Sequence, residues 1–279
     1  MIVVDEEKCG GCGLCVEICH EDCMALVEGT ARVEHVYCST CTQCIAICPQ
    51  RAVSWNGVPP EPHDRDRLPT PEQIDELLKQ RRSVRRFKER KVERPLLEEI
   101  IGYGIYAPTN NYHLRAIVVD DKEMIEALDQ IIVRFSARIL GLFYKPRLLF
   151  ALLSRLWPNP DYLLNKPKLE SVTERGYTFD HNVSAMVFIV GDKKTPLSEA
   201  SAQYCLYNMV LYAQTRGIGS CLWGPGQIFL TRTGEARRRL GLERHERIYG
   251  TVLLGYPAVK FANKVQGKAL PILWNAGAG

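Results

Sequence analysis

The 279-residue chain contains no apolar run long enough to cross a bilayer. Its longest uncharged apolar stretch, residues 148–154, falls far short of the roughly 20 residues that a membrane-spanning helix needs. The start of the chain, MIVVDEEK, lacks the basic and apolar regions of a secretion signal. Apolar residues make up 46% of the sequence, which excludes a purely disordered chain and allows about two domains. We therefore expect a folded, unexported, cytoplasmic protein.

Basic side chains are scarce in the first 64 positions, which hold three Lys or Arg against ten Asp or Glu. The remaining positions hold 33 basic against 22 acidic residues, so an acidic head precedes a basic body. The basic residues of the body are interleaved with acidic ones, and no nucleic-acid-binding motif accompanies them. We expect no nucleic-acid partner.

Nine of the eleven cysteines lie within residues 9–48. The C-x2-C-x2-C-x3-C pattern occurs twice, and the second copy repeats every cysteine of the first at a displacement of 29 residues. Four thiolates at this spacing suit a [4Fe-4S] cluster, in which the fourth cysteine of each run crosses to the other cluster. One predicted ligand set is Cys9, Cys12, Cys15 and Cys48, and the other is Cys38, Cys41, Cys44 and Cys19.

Zinc ribbons and disulfides are the alternatives for these cysteines. Zinc favours paired C-x2-C knuckles, and a chain without an export signal is expected in a reducing compartment, so clusters are the better interpretation. The segment resembles the bacterial two-cluster ferredoxins over about 55 residues, although His20 stands where proline is usual after the last cysteine of the first run. Two clusters favour electron transfer over a purely structural role, and Cys23 is expected to be a buried spare thiol.

A proline-rich stretch, residues 58–71, contains five prolines and predicts an extended connector. We expect a ferredoxin-like domain over 1–58, a linker over 59–70 and a second domain over 71–279. Thr70 then resembles a helix N-cap with Gln73 at N3, and another helix is expected near Pro95.

Short apolar runs in the body predict buried strands at 116–119, 185–190 and 248–254, with a helix over roughly 199–216. Helices and strands are mixed without strict alternation. The fold class is therefore predicted as α+β, with a sheet sandwiched between helices.

Four arginines and a serine lie within residues 81–87. Arginine forms forked, charge-assisted hydrogen bonds to phosphate, and serine adds a short donor. A solvated basic helix end is the equally weighted alternative. Two later segments, 107–111 and 216–225, are treated as polar or glycine-rich loops that permit close approach to a flat heterocycle.

Taken in order, these elements resemble the FMN-dependent nitroreductase family over about residues 71–275. The resemblance rests on Arg81-Arg82-Ser83-x-Arg85-x-Phe87, Ala107-Pro108-Thr109, the helix containing Asn208 that runs into Gly217-Ile218-Gly219, and Leu254-Gly255-Tyr256-Pro257. It implies a nitroreductase-like α/β sandwich that binds FMN as a homodimer, with the flavin sites at the interface.

The same resemblance implies roles for particular residues. The phosphate end of FMN would be held by Arg81, Arg82, Ser83 and Arg85, with Lys264 or Lys268 as a late basic partner. The flavin ring would be bordered by Pro108, Thr109, Asn110 and Asn111 and covered at another edge by Leu222, Trp223 and Gly224.

Fusion of a ferredoxin-like head to this flavin fold suggests an iron–sulfur flavoprotein oxidoreductase. Electrons from a low-potential donor of the ferredoxin or flavodoxin type would pass through two [4Fe-4S] clusters to FMN, which would reduce a nitroaromatic, quinone, enone or similar small molecule. NAD(P)H with structural clusters, and a non-catalytic electron carrier or redox sensor, are the alternatives. An open pocket over the flavin would favour the enzyme.

No side chain is assigned a catalytic role by the sequence. Tyr112, His113, His181 and Cys221 are candidate hydrogen-bond donors near the ring, although we expect each of them to have only a structural role. Cys205 and Cys221 are expected to be small buried residues.

Residues 134–168 form a basic, aromatic-rich segment with seven Lys or Arg against one Asp. Three interpretations remain open: a lid that favours a bulky or acidic apolar substrate, a helical excursion that packs across a dimer, and, with least weight, contact with an anionic membrane surface.

Overall fold

The computed structural model describes residues 1–36, 38–108, 113–146, 148, 151–152, 155, 160–179, 181–265, 267 and 270–274. Among them, no helix is long and apolar enough to cross a membrane.

The N-terminal region consists of two small antiparallel sheets and two short helices. Strand β1 pairs with β4, and β2 pairs with β3. The elements are β1 (Ile2–Val4), α1 (Leu14–Glu17), β2 (Met24–Val27), β3 (Thr30–Val33), α2 (Gln43–Ile47) and β4 (Val53–Trp55).

The sequence repeat is visible in this backbone. Gly13 and Thr42 lie 29 residues apart, both have a left-handed backbone, and each precedes a short helix. Behind the helices, Ile2, Met24, Ala31 and Val53 form a small core together with cysteine side chains.

The linker region contains one turn of 3-10 helix, Arg65–Arg67, capped by the Asp64 side chain. A predicted feature follows directly: Thr70 and Gln73 form a reciprocal capping box at the start of the next helix. The apolar face of that helix is left exposed, since Ile74 and Leu78 are 39% and 43% accessible.

The body is built on a four-stranded antiparallel sheet with the strand order β5-β6-β8-β7. Its helices and strands are α3 (Pro71–Gln80), α4 (Arg94–Gly102), β5 (Arg115–Val119), α5 (Lys122–Ile139), α6 (Pro160–Arg175), β6 (Ala185–Asp192), α7 (Ser198–Thr215), β7 (Gly219–Leu222), α8 (Gly224–Phe229), α9 (Gly234–Arg239) and β8 (Glu246–Gly255). A π-helical turn, Leu140–Tyr144, extends α5, and short 3-10 turns lie at Tyr103–Tyr106 and Leu230–Arg232.

Strand β6 divides the body into two apolar layers. Met186, Phe188 and Val190 pack in the layer that contains α5, whereas the alternate side chains of β6 pack in the layer that contains α4 and α7. Because successive side chains of a strand point to opposite faces, a strand covered on both sides is apolar throughout. The predicted sheet between helices is confirmed.

One local prediction is wrong. The sequence predicts a loop over residues 216–225, but Gly219–Leu222 is the edge strand β7, paired with β8 from Gly219↔Gly255 to Leu222↔Val252. The sequence Gly-Ser-Cys-Leu contains no β-branched or aromatic residue, so it carries little strand propensity of its own. Its neighbour β8 supplies the pairing that makes it a strand.

Candidate functional site

The cysteines of the head gather around two small cavities of about 20 Å³ each. The first is lined by Cys9, Cys12, Cys15 and Cys48. The second is lined by Cys19, Cys38, Cys41 and Cys44, with the additional thiol of Cys23. The fourth cysteine of each sequence run therefore lies with the first three of the other run.

Burial raises the pKa of the most buried thiol of each set. It raises the pKa of Cys44 to about 11 and also raises the pKa of Cys15, and the neighbouring thiols oppose ionisation as well. Among the described residues, no three His, Cys, Asp or Glu side chains are close enough to share a single metal ion. The donor set of each cavity, four thiols spread around a central space, has the chemistry that a four-iron cluster requires.

Backbone amides point at several of the sulfurs. The N–H of Cys23 donates to Cys19 Sγ at 3.2 Å, and the N–H of Ala52 donates to Cys48 Sγ at 3.3 Å. These two bonds are related by the 29-residue repeat, so Cys23 occupies the position that Ala52 has beside the other cavity. Such bonds to ligand sulfurs favour the thiolate and tune a bound cluster.

The body holds a cavity of about 460 Å³ between α3, the segment after α7 and the segment after β8, which we call the cradle. Arg82 lies in its wall, and its Nη2 is buried without a hydrogen-bond partner among the described residues. The Nη1 atom donates to the Arg81 carbonyl at 2.6 Å. A buried guanidinium nitrogen without a partner costs free energy, and an anionic group in the cradle would satisfy it.

The arginine-rich segment is held against β7. The N–H of Val84 donates to the Ser220 carbonyl at 2.9 Å, and Ser83 and Ser220 form a parallel bridge. A Cβ atom added to Gly219 would lie 2.9 Å from the Val84 side chain, so only glycine allows this close approach. The backbone at the floor of the cradle is fixed by this packing.

A second, larger cavity of about 750 Å³ is lined by the next residues of the arginine-rich segment, and we call it the basic cavity. Arg85, Leu222 and Trp223 line it, and Trp223 Nε1 is a second buried donor without a partner among the described residues. Cys221 also lines it; burial raises the pKa of this thiol, and the nearby Arg85 acts in the opposite direction.

The structure distributes the predicted flavin residues between these cavities. Arg82 and Lys264 line the cradle, while Arg85, Leu222 and Trp223 line the basic cavity. The remaining predicted residues line neither of the two: Arg81 and Ser83 are half-buried beside them, Pro108 is exposed, and Gly224 begins α8. Thr109, Asn110, Asn111, Tyr112 and Lys268 lie outside the described residues.

The sequence did not indicate some of the residues that line the cradle. Gln80, Gln214 and Lys260 also line the cradle, and Lys260 follows the Gly255-Tyr256-Pro257 motif by only three positions. Of the ring donors that were considered, His181 lines the basic cavity, whereas His113 is exposed and lines neither cavity. Cys23, Cys205 and Cys221 are buried, as expected.

Comparison with known proteins identifies the body. A model of the nitroreductase family matches residues 78–256, more than half of the chain. The chain belongs to the nitroreductase family. The expected oxidoreductase class is thereby confirmed.

Solved structures of the family share the fold. An FMN-bound nitroreductase from Bacteroides fragilis is 22% identical, with a TM-score of 0.52 over 72% of this chain and 99% of its own. An FMN-bound nitroreductase from Desulfitobacterium hafniense is 19% identical, with a TM-score of 0.54 over 71% and 97%. An iodotyrosine deiodinase bound to FMN and 3-iodo-L-tyrosine is 19% identical, with a TM-score of 0.52 over 72% and 98%.

The head has a relative of its own. An uncharacterized ferredoxin from Methanocaldococcus jannaschii is 30% identical over 70 residues, which cover 24% of this chain and 91% of that protein. The predicted arrangement of a ferredoxin-like region before a nitroreductase-like fold is confirmed.

Proposed function

We propose that this member of the nitroreductase family is an iron–sulfur flavoprotein. In this proposal an external low-potential donor of the ferredoxin or flavodoxin type supplies electrons to two [4Fe-4S] clusters and on to FMN, for the reduction of an organic acceptor such as a nitroaromatic, quinone or enone. The observation that carries the proposal is the presence, in one chain, of a nitroreductase-family body and of two cavities that are each lined by four predicted ligand cysteines.

The clusters are assigned to the two crossed cysteine sets. Cys9, Cys12, Cys15 and Cys48 would hold one, and Cys19, Cys38, Cys41 and Cys44 the other. Two cavities that share cysteines from both sequence runs tie the two halves of the head together, which favours two neighbouring redox centres over one isolated structural site. We also propose a domain over 1–58, a linker over 59–70 and a second domain over 71–279, on the ground of the proline-rich stretch between the two parts.

FMN is assigned to the cradle and the adjoining basic cavity. The unpartnered Arg82 Nη2 supports a phosphate in the cradle, with Lys264 as the late basic partner. Arg81 and Ser83 would border it, and Arg85, Leu222, Trp223 and Gly224 would lie towards the ring. FMN supplies the exchange between single-electron and two-electron chemistry.

The chain's own residues supply position and charge. Arg82 and Lys264 bind the anionic end, and the Val84–Ser220 hydrogen bond fixes the backbone beside it. Trp223 brings to the basic cavity a buried Nε1 donor that has no partner among the described residues. The size of that cavity, about 750 Å³, lies within the range of small-molecule sites.

We also propose that the protein is a homodimer. Ile74 and Leu78 of α3 are exposed, Tyr106 is 76% accessible, and the segment 270–274 exposes the large apolar side chains Leu270, Ile272, Leu273 and Trp274. A second copy of the chain would bury this surface. Light scattering of the purified protein should give twice the chain mass of 31.6 kDa.

The electron path is tested by Cys41→Ala. This variant should lose the iron of one cluster and most turnover driven by reduced ferredoxin, while chemically reduced flavin still reacts with the acceptor. Cys23→Ala is the matched control, because Cys23 lines the same cavity but is not a proposed ligand. Undiminished ferredoxin-driven turnover in Cys41→Ala would make the clusters structural and leave NAD(P)H as the donor.

A further inference from the structure

The basic cavity carries four cationic side chains and no acidic one among its described lining residues. Arg85 and Arg86 come from the segment between α3 and α4, and Lys168 and Arg175 come from α6. The four charges therefore reach the cavity from two separate parts of the chain. Like charges repel one another, and an anion bound between them would offset this repulsion.

These cations lack local compensation. Among the described residues, none of the four forms an ion pair, whereas Lys166, two positions before Lys168, pairs with Glu170 at 3.8 Å. A cavity with one sign of charge and apolar walls concentrates the field and attracts ligands of the opposite sign. The lining of the basic cavity has this character.

The same cavity offers flat apolar walls. Phe179 meets Trp223 edge to face, with 5.2 Å between the ring centroids, and Arg175 lies over the Tyr177 ring at 5.6 Å. Trp223 adds its buried, unpartnered Nε1 donor. Aromatic walls with a few polar groups are the usual lining of a site for a planar organic ligand.

A buried carboxylate holds the wall in place from behind. Asp129, 3% exposed on α5, accepts hydrogen bonds from the Thr178 backbone N–H at 3.2 Å and from the Thr178 hydroxyl. Tyr177 and His181, on either side of Thr178, also line the cavity, and their rings lie 4.9 Å apart. The aromatic and cationic wall is therefore anchored to the core of the body.

We infer that the basic cavity selects an acceptor that combines a planar ring with an anionic group, such as an aromatic carboxylate. Lys168 and Arg175 bind the anion, and Tyr177 and Phe179 contact the ring. The inference rests on the proposed function, because it takes the basic cavity to be the acceptor side of the flavin site. It gives α6, which includes the end of the 134–168 segment, a direct role in substrate selection.

The test uses two matched probes, 4-nitrobenzoate and its neutral counterpart 4-nitrobenzamide. Calorimetric titration of the full-length, oxidised protein under anaerobic conditions measures their dissociation constants, and absorbance of the same sample measures bound flavin. We expect the carboxylate to bind about tenfold more tightly than the amide, as one charge-assisted contact allows. The advantage should shrink between about 50 mM and 500 mM salt, because ions screen the cationic wall.

The double variant Lys168→Gln/Arg175→Gln should weaken carboxylate binding about tenfold and change amide binding less than about twofold. Lys166→Gln is the matched control on the same helix and should leave both constants unchanged. Equal affinity for the two probes in flavin-loaded protein, or an equal loss of both in the double variant, would overturn the inference. Protein that purifies without flavin would instead contradict the proposed function.

A nicotinamide dinucleotide is the other source of anionic groups for this cavity. Titration with NADPH shows whether the cationic side chains bind a dinucleotide or an aromatic carboxylate. If the double variant loses NADPH binding and keeps its preference for the aromatic carboxylate, the cations serve a dinucleotide and the inference is wrong. If NADPH binding is absent or unchanged while the carboxylate preference disappears, the inference stands.

Discussion

The carboxylate of Glu76 forms an ion pair with the ammonium group of Lys264 in the wall of the cradle. Glu76 lies on α3, and Lys264 lies nine positions beyond the last residue of β8, so the pair connects the first helix of the body to its C-terminal segment. Both residues share the cavity with Arg82. Glu76 therefore competes with the FMN phosphate for Lys264, the lysine that we assign to that phosphate. It also brings a negative charge to the same site.

Replacement of Glu76 by Gln should strengthen FMN binding several-fold, because Lys264 is released and a repulsive carboxylate is removed. Lys264→Gln should weaken FMN binding by a similar factor. The dissociation constant is measured by the fluorescence of flavin released on dilution. Asp75→Asn is the control, because Asp75 pairs with Lys79 on the exposed side of the same helix. Weaker binding in Glu76→Gln would contradict the assigned role of Lys264.

Arg82→Ala should release FMN while leaving the iron content near that of the unmodified protein. Loss of a charge-assisted hydrogen bond to phosphate costs about 1.5–3 kcal/mol, which corresponds to roughly 10- to 100-fold weaker binding. Flavin and iron are measured on the same purified sample. Arg67→Ala, a change on the exposed 3-10 turn of the linker region, should retain both. Stoichiometric flavin in Arg82→Ala would remove Arg82 from the phosphate site.

The crossed ligation of the clusters makes a prediction about pairs of variants. Cys12→Ala/Cys48→Ala removes two ligands of the same proposed cluster and should cost about four irons per chain. Cys12→Ala/Cys19→Ala removes one ligand from each and should cost about eight. Iron and acid-labile sulfide analysis distinguishes the two results. If both pairs lose the same amount of iron, the crossed assignment is wrong.

Arg115 and Glu246 form a two-pronged ion pair at 2.6 and 2.7 Å at one end of the sheet. The Arg115 guanidinium lowers the pKa of Glu246 to about 2 from its ordinary 4.5. A carboxylate whose pKa is lowered in the folded state stabilises the protein at pH values above the pKa that it has in the unfolded state. This contribution is lost as the pH falls towards the pKa of the folded state. Because solvent screens the half-exposed Arg115, the ion pair contributes only about 2 kcal/mol to the free energy of unfolding.

Glu246→Gln should therefore lower the free energy of unfolding by about 2 kcal/mol at pH 6, and the difference from the unmodified protein should diminish between pH 4.5 and 2. Denaturant titrations of the two proteins at each pH measure it, and effects common to both cancel in the difference. Glu243→Gln, an exposed change in the same turn, is the control. A difference that does not vary with pH would show that the ion pair is not its cause.

Local chemistry made much of the molecule predictable from sequence. The spacing of the cysteines in the 29-residue repeat predicts that Cys19 and Cys48 each lie with the first three cysteines of the other run. Thr70 and Gln73 specify their capping box without help from the rest of the fold. Strand 185–192 is apolar at nearly every position, and this pattern is typical of a strand that is buried on both faces.

Tertiary effects account for what the sequence did not reveal. Strand β7 exists because β8 pairs with it, and nothing in Gly219–Leu222 indicates that partner. Lys168 and Arg175 line the same cavity as Arg85 only because α6 packs there, more than 80 residues later in the chain. The helical spacing of Ile74 and Leu78 gives α3 an apolar face, but it does not show that this face is exposed within one copy of the chain.

In the proposed function, one chain joins two [4Fe-4S] clusters to FMN as an electron path. The decisive measurement is anaerobic analysis of iron, sulfide and flavin, followed by stepwise reduction monitored by visible absorption and EPR. We expect about eight irons and one FMN per chain, with the clusters reduced before or together with the flavin. Zinc in place of iron, or protein that contains no flavin, would contradict it.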